Sequence, residues 1–465
     1  MKSFSNQLPY IFVGLLLWCM PTGRVAAQTA AGSAEPSAPD TIILSEADVL
    51  RIALSENATV RVADLDVRKQ AYARRVAQAD LLPKVDVNGV YSRTLKKQVM
   101  YIDMPGFSSG DGIEVGRTHN TQATLNVTMP LISAQLWKNI AMTGEQLDLA
   151  LEQARSSRID LVATVRKAYL SVLLAQDSYA VFKRSYDNAQ ANYRNISAKY
   201  DQGLVAEYDK IRANVQVRNI EPNLLQAQNS VAIALWQLKV LMSMDVDTPI
   251  QLSGSLSDFK EEVYRGYFTA DTVASGNSSL RQLDIQRRLA VSADKLNRYS
   301  FLPTLSLGGQ YSYMLSNNEF KFWGDGRKWT PYSTISLSLN IPIFNGGKRL
   351  HNVKQSSLAI RQIDIQRSHL EQSLRMGIKN QNNLLRTYMR KYVASEEAVR
   401  SAEKGYQIAE KRYQTGEGTL IELNDADVAL LQAQLNYNQS IYDFMAAKAE
   451  LDKMNGTGVP EDEGK

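Results

Sequence analysis

Residues 161–200 read LVATVRKAYLSVLLAQDSYAVFKRSYDNAQANYRNISAKY. Apolar and small side chains recur along this stretch in alternating steps of four and three, at Leu161, Val165, Ala168, Val172, Ala175, Tyr179, Phe182, Tyr186, Ala189, Tyr193, Ile196 and Tyr200. Such a heptad repeat is typical of helices that pack knobs-into-holes. A helix over residues 135–200 would be roughly 100 Å long at 1.5 Å per residue, which is too long for a compact globular domain.

The second half of the chain repeats the first. The same heptad pattern returns at Tyr388, Tyr392, Ser395, Val399, Ala402, Tyr406, Ala409 and Tyr413. Short motifs also recur in the same order: Leu82-Pro83 with Leu302-Pro303, Met129-Pro130-Leu131-Ile132 with Ile341-Pro342-Ile343-Phe344, and Lys199-Tyr200-Asp201-Gln202-Gly203 with Arg412-Tyr413-Gln414-Thr415-Gly416. Each half therefore predicts a helix, a strand, a loop, a strand, a very long helix, a tight turn and a helix running back. Pro222 is expected to interrupt and kink the first returning helix.

Four short segments alternate apolar and polar residues with period two. They centre on Val85 and Val87, Leu125 and Val127, Leu305 and Leu307, and Ile335 and Leu337. A half-buried sheet in a soluble domain would show this pattern, and so would a transmembrane barrel. Four strands cannot close a barrel, and open edges are not tolerated in lipid, so several copies would have to share one. Two copies would give a plugged interior, whereas three would leave room for a pore.

The segment boundaries follow from these patterns. Lys2, an apolar run to Met20 and small residues ending at Ala27 predict a signal peptide over 1–27. The remaining predicted segments are a flexible lead-in at 28–40, a first repeat at 41–250 with its strand pair at 84–130 and helix hairpin at 133–242, a linker at 251–270, a second repeat at 271–455 with its strand pair at 303–342 and helix hairpin at 348–455, and a tail at 456–465. Trp18 directly precedes the single cysteine, Cys19, which argues against a lipid anchor there.

Composition excludes several functional classes. The formal net charge of +5 falls to +3 when Lys2 and Arg24 are removed with the signal peptide, and this near-neutral balance argues against nucleic-acid binding. The three histidines show no ligand spacing, so no metal site or other cofactor is expected. There is no phosphate-binding loop, no His-Glu-x-x-His and no nucleophile elbow, so the sequence does not predict an enzyme.

The motifs together resemble the TolC-like outer-membrane efflux proteins over essentially the whole mature chain. The resemblance rests on Leu44-Ser45-Glu46-Ala47, on both Leu-Pro pairs, on Ile341 to Gly347 and on the two glycine turns. It implies an α+β fold of two tandem repeats. It also implies a homotrimer whose 12-stranded outer-membrane β-barrel continues as an α-helical barrel in the periplasm. The implied partners are outer-membrane lipid, a periplasmic adaptor protein and an inner-membrane pump, with docking at Gly203, Leu204, Val205, Ala206 and Gly416.

The resemblance also implies a periplasmic gate beside the turns. Similar proteins carry two acidic residues one helical turn apart at this constriction, and the matching positions here are Glu422 and Asp425. Asp209 occupies the equivalent place in the first repeat, and Tyr413 matches an aromatic residue of the closing network. This chain departs from the family pattern at Gly418, where an arginine is expected. Arg412 or Lys411 could replace that arginine, and the sequence does not select between them.

The function implied is a passive exit duct that carries substrates from the adaptor and pump to the exterior. Related channels also serve type I protein secretion, and no residue separates the two uses. A non-conducting coiled-coil tether that spans the periplasm is the alternative from a different class. A tether needs neither alternating strands nor an acidic pair, so the channel is favoured.

Overall fold

The computed structural model describes residues 42–101, 103–104, 107–108, 112–265, 276–320 and 328–458. The predicted signal peptide and lead-in lie outside these ranges. The α-helices are α1 (Glu46–Glu56), α2 (Ala58–Ala79), α3 (Ala134–Asp201), α4 (Glu207–Leu241), α5 (Lys260–Arg265), α6 (Ser278–Tyr299), α7 (Lys348–Thr415) and α8 (Leu420–Asn455). The strands are β1 (Ile42–Leu44), β2 (Lys84–Arg93), β3 (Gln98–Met100), β4 (Asp103–Met104), β5 (Phe107–Ser108), β6 (Ile113–Val115), β7 (His119–Ile132), β8 (Ile250–Leu252), β9 (Thr304–Asn317) and β10 (Thr330–Asn340).

The two longest helices match each other. Both α3 and α7 contain 68 residues, a length of roughly 100 Å at 1.5 Å per residue. The helix α3 begins where Ser133 Oγ accepts the Leu136 N–H, and α7 begins after Gly347, whose φ of +78° suits a residue without a Cβ. Each pairs with its successor, α3 with α4 and α7 with α8. None of the seam residues predicted on α3 or α7 is exposed, so the seams face the packed side of each pair.

The predicted interruption at Pro222 is wrong, because α4 continues through it from Glu207 to Leu241. A proline removes one backbone hydrogen bond from a helix interior. Ile220 and Ala227 are buried on either side of Pro222. Their packing holds both flanking turns in place, so the loss of one hydrogen bond does not end the helix.

The largest apolar core lies where the middle of α3 packs against α8 and the small elements around them. Val165, Val172, Leu238 and Ile441 are fully buried there, and Phe444 is nearly so. Burial of each such side chain contributes about 1.5–3 kcal/mol. The predicted linker enters this core, because β8 pairs in parallel with β1 and the 3-10 turn and α5 that follow bury Leu256 and Val263.

The main sheet has the antiparallel order β10-β9-β7-β2, so β7 and β9 join the two hairpins. Val87, Leu125 and Tyr311 lie directly opposite one another across three strands, which places them on one face. The other face is polar, and there Thr124 Oγ1 lies 2.5 Å from Ser312 Oγ. The predicted alternation is therefore observed as one apolar and one polar face.

The two outer strands of this sheet, β2 and β10, each have one unpaired edge among the described residues. All residues of β2 and all residues of β10 are exposed, and each strand has only one neighbour. The loop that follows β2 does not consist of turns alone, because β3 pairs with β6 and β4 with β5. A local hairpin in the loop satisfies backbone groups that would otherwise depend on water.

Candidate functional site

The turn between α3 and α4 is a Schellman motif. Gly203 has φ +75°, the Gly203 N–H donates to the Tyr200 carbonyl at 2.8 Å, and the Leu204 N–H donates to the Lys199 carbonyl at 2.9 Å. Glycine adopts this left-handed conformation without a steric penalty. The motif leaves Leu204 largely exposed at the end of the molecule, followed by Val205 and Ala206.

The turn between α7 and α8 has the same geometry. Gly416 has φ +81°, and the Glu417 N–H donates to the Arg412 carbonyl at 2.9 Å. The two turns differ in how the next helix is capped. Thr419 accepts the Glu422 N–H through its side chain, whereas Ala206 at the equivalent position provides no side-chain cap. The helix that follows the second turn therefore begins with a side-chain cap that the helix after the first turn lacks.

A small apolar cluster joins the two hairpins beside the turns; we call it the tip cluster. Its buried members are Ile196, Ala213 and Leu420, and Tyr193, Val205 and Tyr413 pack against them half-buried. The members come from α3, α4, α7 and α8 and from the first turn. The tip cluster is therefore a packing contact that a relative movement of the two hairpins would disturb.

Both predicted gate carboxylates lie on the first turns of α8 and are exposed. Their spacing of three residues places Glu422 and Asp425 on one side of the helix. Arg412 lies 3.3 Å from Glu422, measured between Nη1 and Oε2, and its Nη2 donates to the Glu417 carbonyl at 3.2 Å. Of the two cations considered in place of the expected arginine, Arg412 forms an ion pair at this turn, with Glu422 of its own hairpin.

Tyr413, which belongs to the second hairpin, lies near two charged groups of the first hairpin, Lys199 and Asp209. Burial raises the pKa of the Tyr413 hydroxyl, and the negative charge of Asp209 raises that pKa further. Lys199 Nζ lies 5.7 Å from the centre of the Tyr413 ring. Among the described hydrogen bonds, none joins the side chains of Tyr413 and Asp209, so these two predicted residues are close but not directly bonded.

Gly418 packs tightly against the end of α7. A Cβ atom added there would lie 3.0 Å from Arg412 Cβ and 3.1 Å from the Tyr413 backbone nitrogen. Both distances are shorter than ordinary van der Waals contact, so a larger residue would require the backbone to move. An arginine at this position would therefore have to displace the end of α7.

Sequence reasoning missed Asp427, which lies five residues beyond Glu422 on α8. Ser185 Oγ donates to Asp427 Oδ2 at 2.6 Å, which links α8 to α3, and burial raises the pKa of the Asp427 carboxyl. The same carboxylate contributes to raising the pKa of Tyr406 to about 12, after burial and the charge of Glu410. The sequence did contain a signal for this residue. Asp427 occupies a position of α8 at which the spacing of the buried leucines predicts an apolar side chain.

Among the described ranges, no group of three or more His, Cys, Asp or Glu side chains is arranged to hold a metal ion. Within the same residues, no helix combines the length and the apolar character needed to span a bilayer.

Residues 49–243 and 270–457 match the family described as outer membrane efflux protein. The chain belongs to the outer membrane efflux protein family. The two matched ranges cover both hairpins and the sheet, and the prediction of TolC-like character is confirmed.

Individual relatives agree with this assignment. The chain is 22% identical over 340 residues to the outer membrane protein TolC of Vibrio cholerae, covering 73% of this chain and 77% of the relative. It is 24% identical over 427 residues to the probable efflux pump outer membrane protein TtgC of Pseudomonas putida, covering 90% and 84%. It is 23% identical over 421 residues to the alkaline protease secretion protein AprF of Pseudomonas aeruginosa, covering 89% and 84%.

A solved structure shares the fold. The outer membrane protein VceC of Vibrio cholerae superimposes with a TM-score of 0.68 at 15% identity, covering 89% of this chain and 96% of that chain. The α+β class with two tandem repeats is therefore confirmed. This efflux protein is located in the outer membrane, with its helical part extending into the periplasm. It is a channel of efflux or secretion systems and not an enzyme.

Proposed function

We propose that this protein is the exit duct of a tripartite efflux system and conducts substrates passively from a periplasmic adaptor and an inner-membrane pump. One observation carries most of the proposal. The sheet has an apolar face, a polar face and two unpaired edges in the described chain. A sheet of this kind is stable in lipid only when its edges are paired, because unpaired backbone groups cannot find water there.

Three copies satisfy this requirement and leave a pore. Edge pairing of β2 with β10 of a neighbouring copy would close a barrel of twelve strands from a homotrimer. The polar face with Thr124 and Ser312 would line its interior, and the apolar face with Leu125 and Leu337 would contact outer-membrane lipid. The paired helices of three copies would continue this barrel as a tunnel with its narrow end at the glycine turns.

The position of Glu422 and Asp425 beside the second turn supports a gate at the turns. Three copies of Glu422 and Asp425 would surround one axis, and a ring of carboxylates favours cations over anions in a pore. Asp209 of the first hairpin and Tyr413 of the second hairpin are the neighbouring groups. Opening would require the tip cluster to separate or slide. The exposed turn from Gly203 to Ala206 and the turn at Gly416 are the surfaces that an adaptor would contact.

Single-channel recording in planar bilayers tests the proposal. The wild-type protein should conduct cations weakly, and the Glu422→Ala, Asp425→Ala double variant should conduct better with reduced cation preference. Glu403→Ala is a matched control, because Glu403 is an exposed carboxylate on α7 away from the turn. If neither wild type nor variant conducts after verified insertion, the channel is rejected in favour of a non-conducting tether.

Cross-linking tests the movement at the turns. Leu204→Cys and Glu417→Cys place one thiol on each exposed turn, and a cleavable bis-maleimide would hold the two hairpins together. Export of a pump substrate by intact cells should stop on cross-linking and return on cleavage of the linker. Unchanged export in fully cross-linked protein would contradict an opening that separates the hairpins.

The similarity to AprF supports protein secretion as the second candidate, because that relative is named for secretion of alkaline protease. The two functions differ in the phenotype of a strain that lacks the protein. Loss of efflux should raise sensitivity to small toxic compounds, whereas loss of secretion should retain a polypeptide inside the cell. Normal sensitivity with a retained polypeptide would replace the first proposal by the second.

A further inference from the structure

Arg412 is the central residue of the second turn. Its carbonyl accepts the N–H groups of Glu417 and Gly418 at 2.9 and 3.0 Å, while its guanidinium reaches one acceptor within the turn and one on α8. One nitrogen lies 3.3 Å from the Glu422 carboxylate, and the other donates to the Glu417 carbonyl. The planar guanidinium can hold two acceptors at once, which a lysine ammonium on a flexible chain does less well.

No other cation is shown in this role among the described residues. Lys411 is exposed and has no described ion pair, and Lys210 pairs with Asp201 at the first turn instead. Asp425 likewise has no described ion pair, so the two gate carboxylates are not equivalent. Glu422 has a counter-ion within its own chain, and Asp425 does not.

We propose that Arg412 is a selectivity-determining residue of the gate, which compensates Glu422 and leaves Asp425 as the uncompensated carboxylate. This inference rests on the proposed channel function. With three copies, six carboxylates and three guanidinium groups would share the constriction. Arg412 therefore reduces the net negative charge of the ring by half. Arg412 also supplies a positive charge close to Gly418, the position where the resembling family carries an arginine. It bridges α7 and α8 of one hairpin, however, and does not tie the two hairpins together.

The pair is half-exposed, with about half of each side chain accessible. Salt therefore screens its effect on permeating ions. Removing the positive charge should raise the preference for cations at low salt, and high salt should reduce that gain. A residue that only shaped the turn would not produce this dependence on ionic strength.

The experiment compares four variants of the full-length protein with the wild type in planar bilayers under a KCl gradient. Arg412→Gln should raise the cation-to-anion permeability ratio about threefold at 0.1 M salt and much less at 1 M. The permeability ratio of Arg412→Lys should stay close to that of the wild type, because the positive charge is kept although the planar guanidinium is lost. Arg412→Gln combined with Glu422→Gln should return to near the wild-type ratio. Lys411→Gln is the matched control and should change the ratio little.

The outcomes separate the inference from the function on which it rests. If the wild type does not conduct after verified insertion, the channel itself is rejected. If the wild type conducts and Glu422→Ala, Asp425→Ala alters selectivity, the gate stands. Arg412→Gln then overturns the inference if it leaves the permeability ratio unchanged at low salt, or if Lys411→Gln shifts that ratio equally.

Discussion

Replacement of Ile196 by alanine should loosen the tip without disturbing the rest of the molecule. Ile196 is fully buried in the tip cluster, where it meets Ala213 of its own hairpin and Leu420 of the other. The large apolar core lies far up the helices and does not include it. The substitution therefore acts on the contact between the two hairpins next to the candidate gate.

The size of the effect follows from burial. Truncation of a buried isoleucine to alanine costs about 2–5 kcal/mol, and the lower end applies where neighbours can collapse into the space. Three of the six cluster side chains are only half-buried and can move. We therefore expect a loss of about 2 kcal/mol in the free energy of local opening, which corresponds to about a thirtyfold larger open fraction.

Hydrogen exchange followed by mass spectrometry on the intact, detergent-solubilised protein measures this opening. Amides around both turns should exchange about thirtyfold faster in Ile196→Ala than in wild type. Ile408→Ala on α7 is the matched control, because Ile408 is exposed and its truncation removes little buried surface. Unchanged exchange at the turns in Ile196→Ala, or equal acceleration in Ile408→Ala, would show that the tip cluster does not hold the two turns together.

Three further perturbations have defined outcomes. Burial raises the pKa of Asp427 above its ordinary 3.8. The protonated form of Asp427 therefore contributes to stability below pH 3.8, and this contribution is lost as the pH rises through the higher pKa of the folded state. Asp427→Asn should therefore flatten the pH dependence of exchange at the tip; a slope equal to that of the wild type would contradict this. Leu337→Arg places a charge on the apolar face and should cost about 2–4 kcal/mol in refolding into vesicles, whereas Ser338→Arg on the opposite face should cost much less, and equal losses would reverse our assignment of the faces. Thr419→Ala removes the cap of α8 and should cost about 1 kcal/mol of local stability, seen as faster exchange of the first amides of α8; unaltered exchange would show that the cap contributes nothing.

The long helices, the turns and the strands of the molecule could be predicted from local sequence patterns. The seam from Leu161 to Tyr200 needs only its own spacing to predict a long packed helix, because a heptad repeat identifies the buried side without reference to any partner. The glycines at 203 and 416 predict the turns for a similar reason, since a left-handed backbone conformation favours glycine wherever it occurs. Alternation in the four strands likewise predicts two unlike faces.

The partners of individual charged side chains could not be predicted. Lys411 and Arg412 are neighbours with the same charge, and only the packing of the second turn directs Arg412 towards Glu422. The sequence gives no distance between Ser185 and Asp427, which are 242 residues apart and form a hydrogen bond across two helices. Pro222 misled the prediction because the rule for proline in a helix omits the burial of flanking residues.

The two repeats, the long helices, the alternating strands and the positions of both turns follow from the amino-acid sequence without reference to the rest of the fold. Each of these depends on periodicity or on the backbone preference of one residue type, and both are local properties of the chain. The tertiary structure alone decided which strands form the sheet edges, which residues form the tip cluster and which cation meets Glu422. Those features depend on how distant segments pack, and the free energy of packing depends on side chains that lie far apart in sequence.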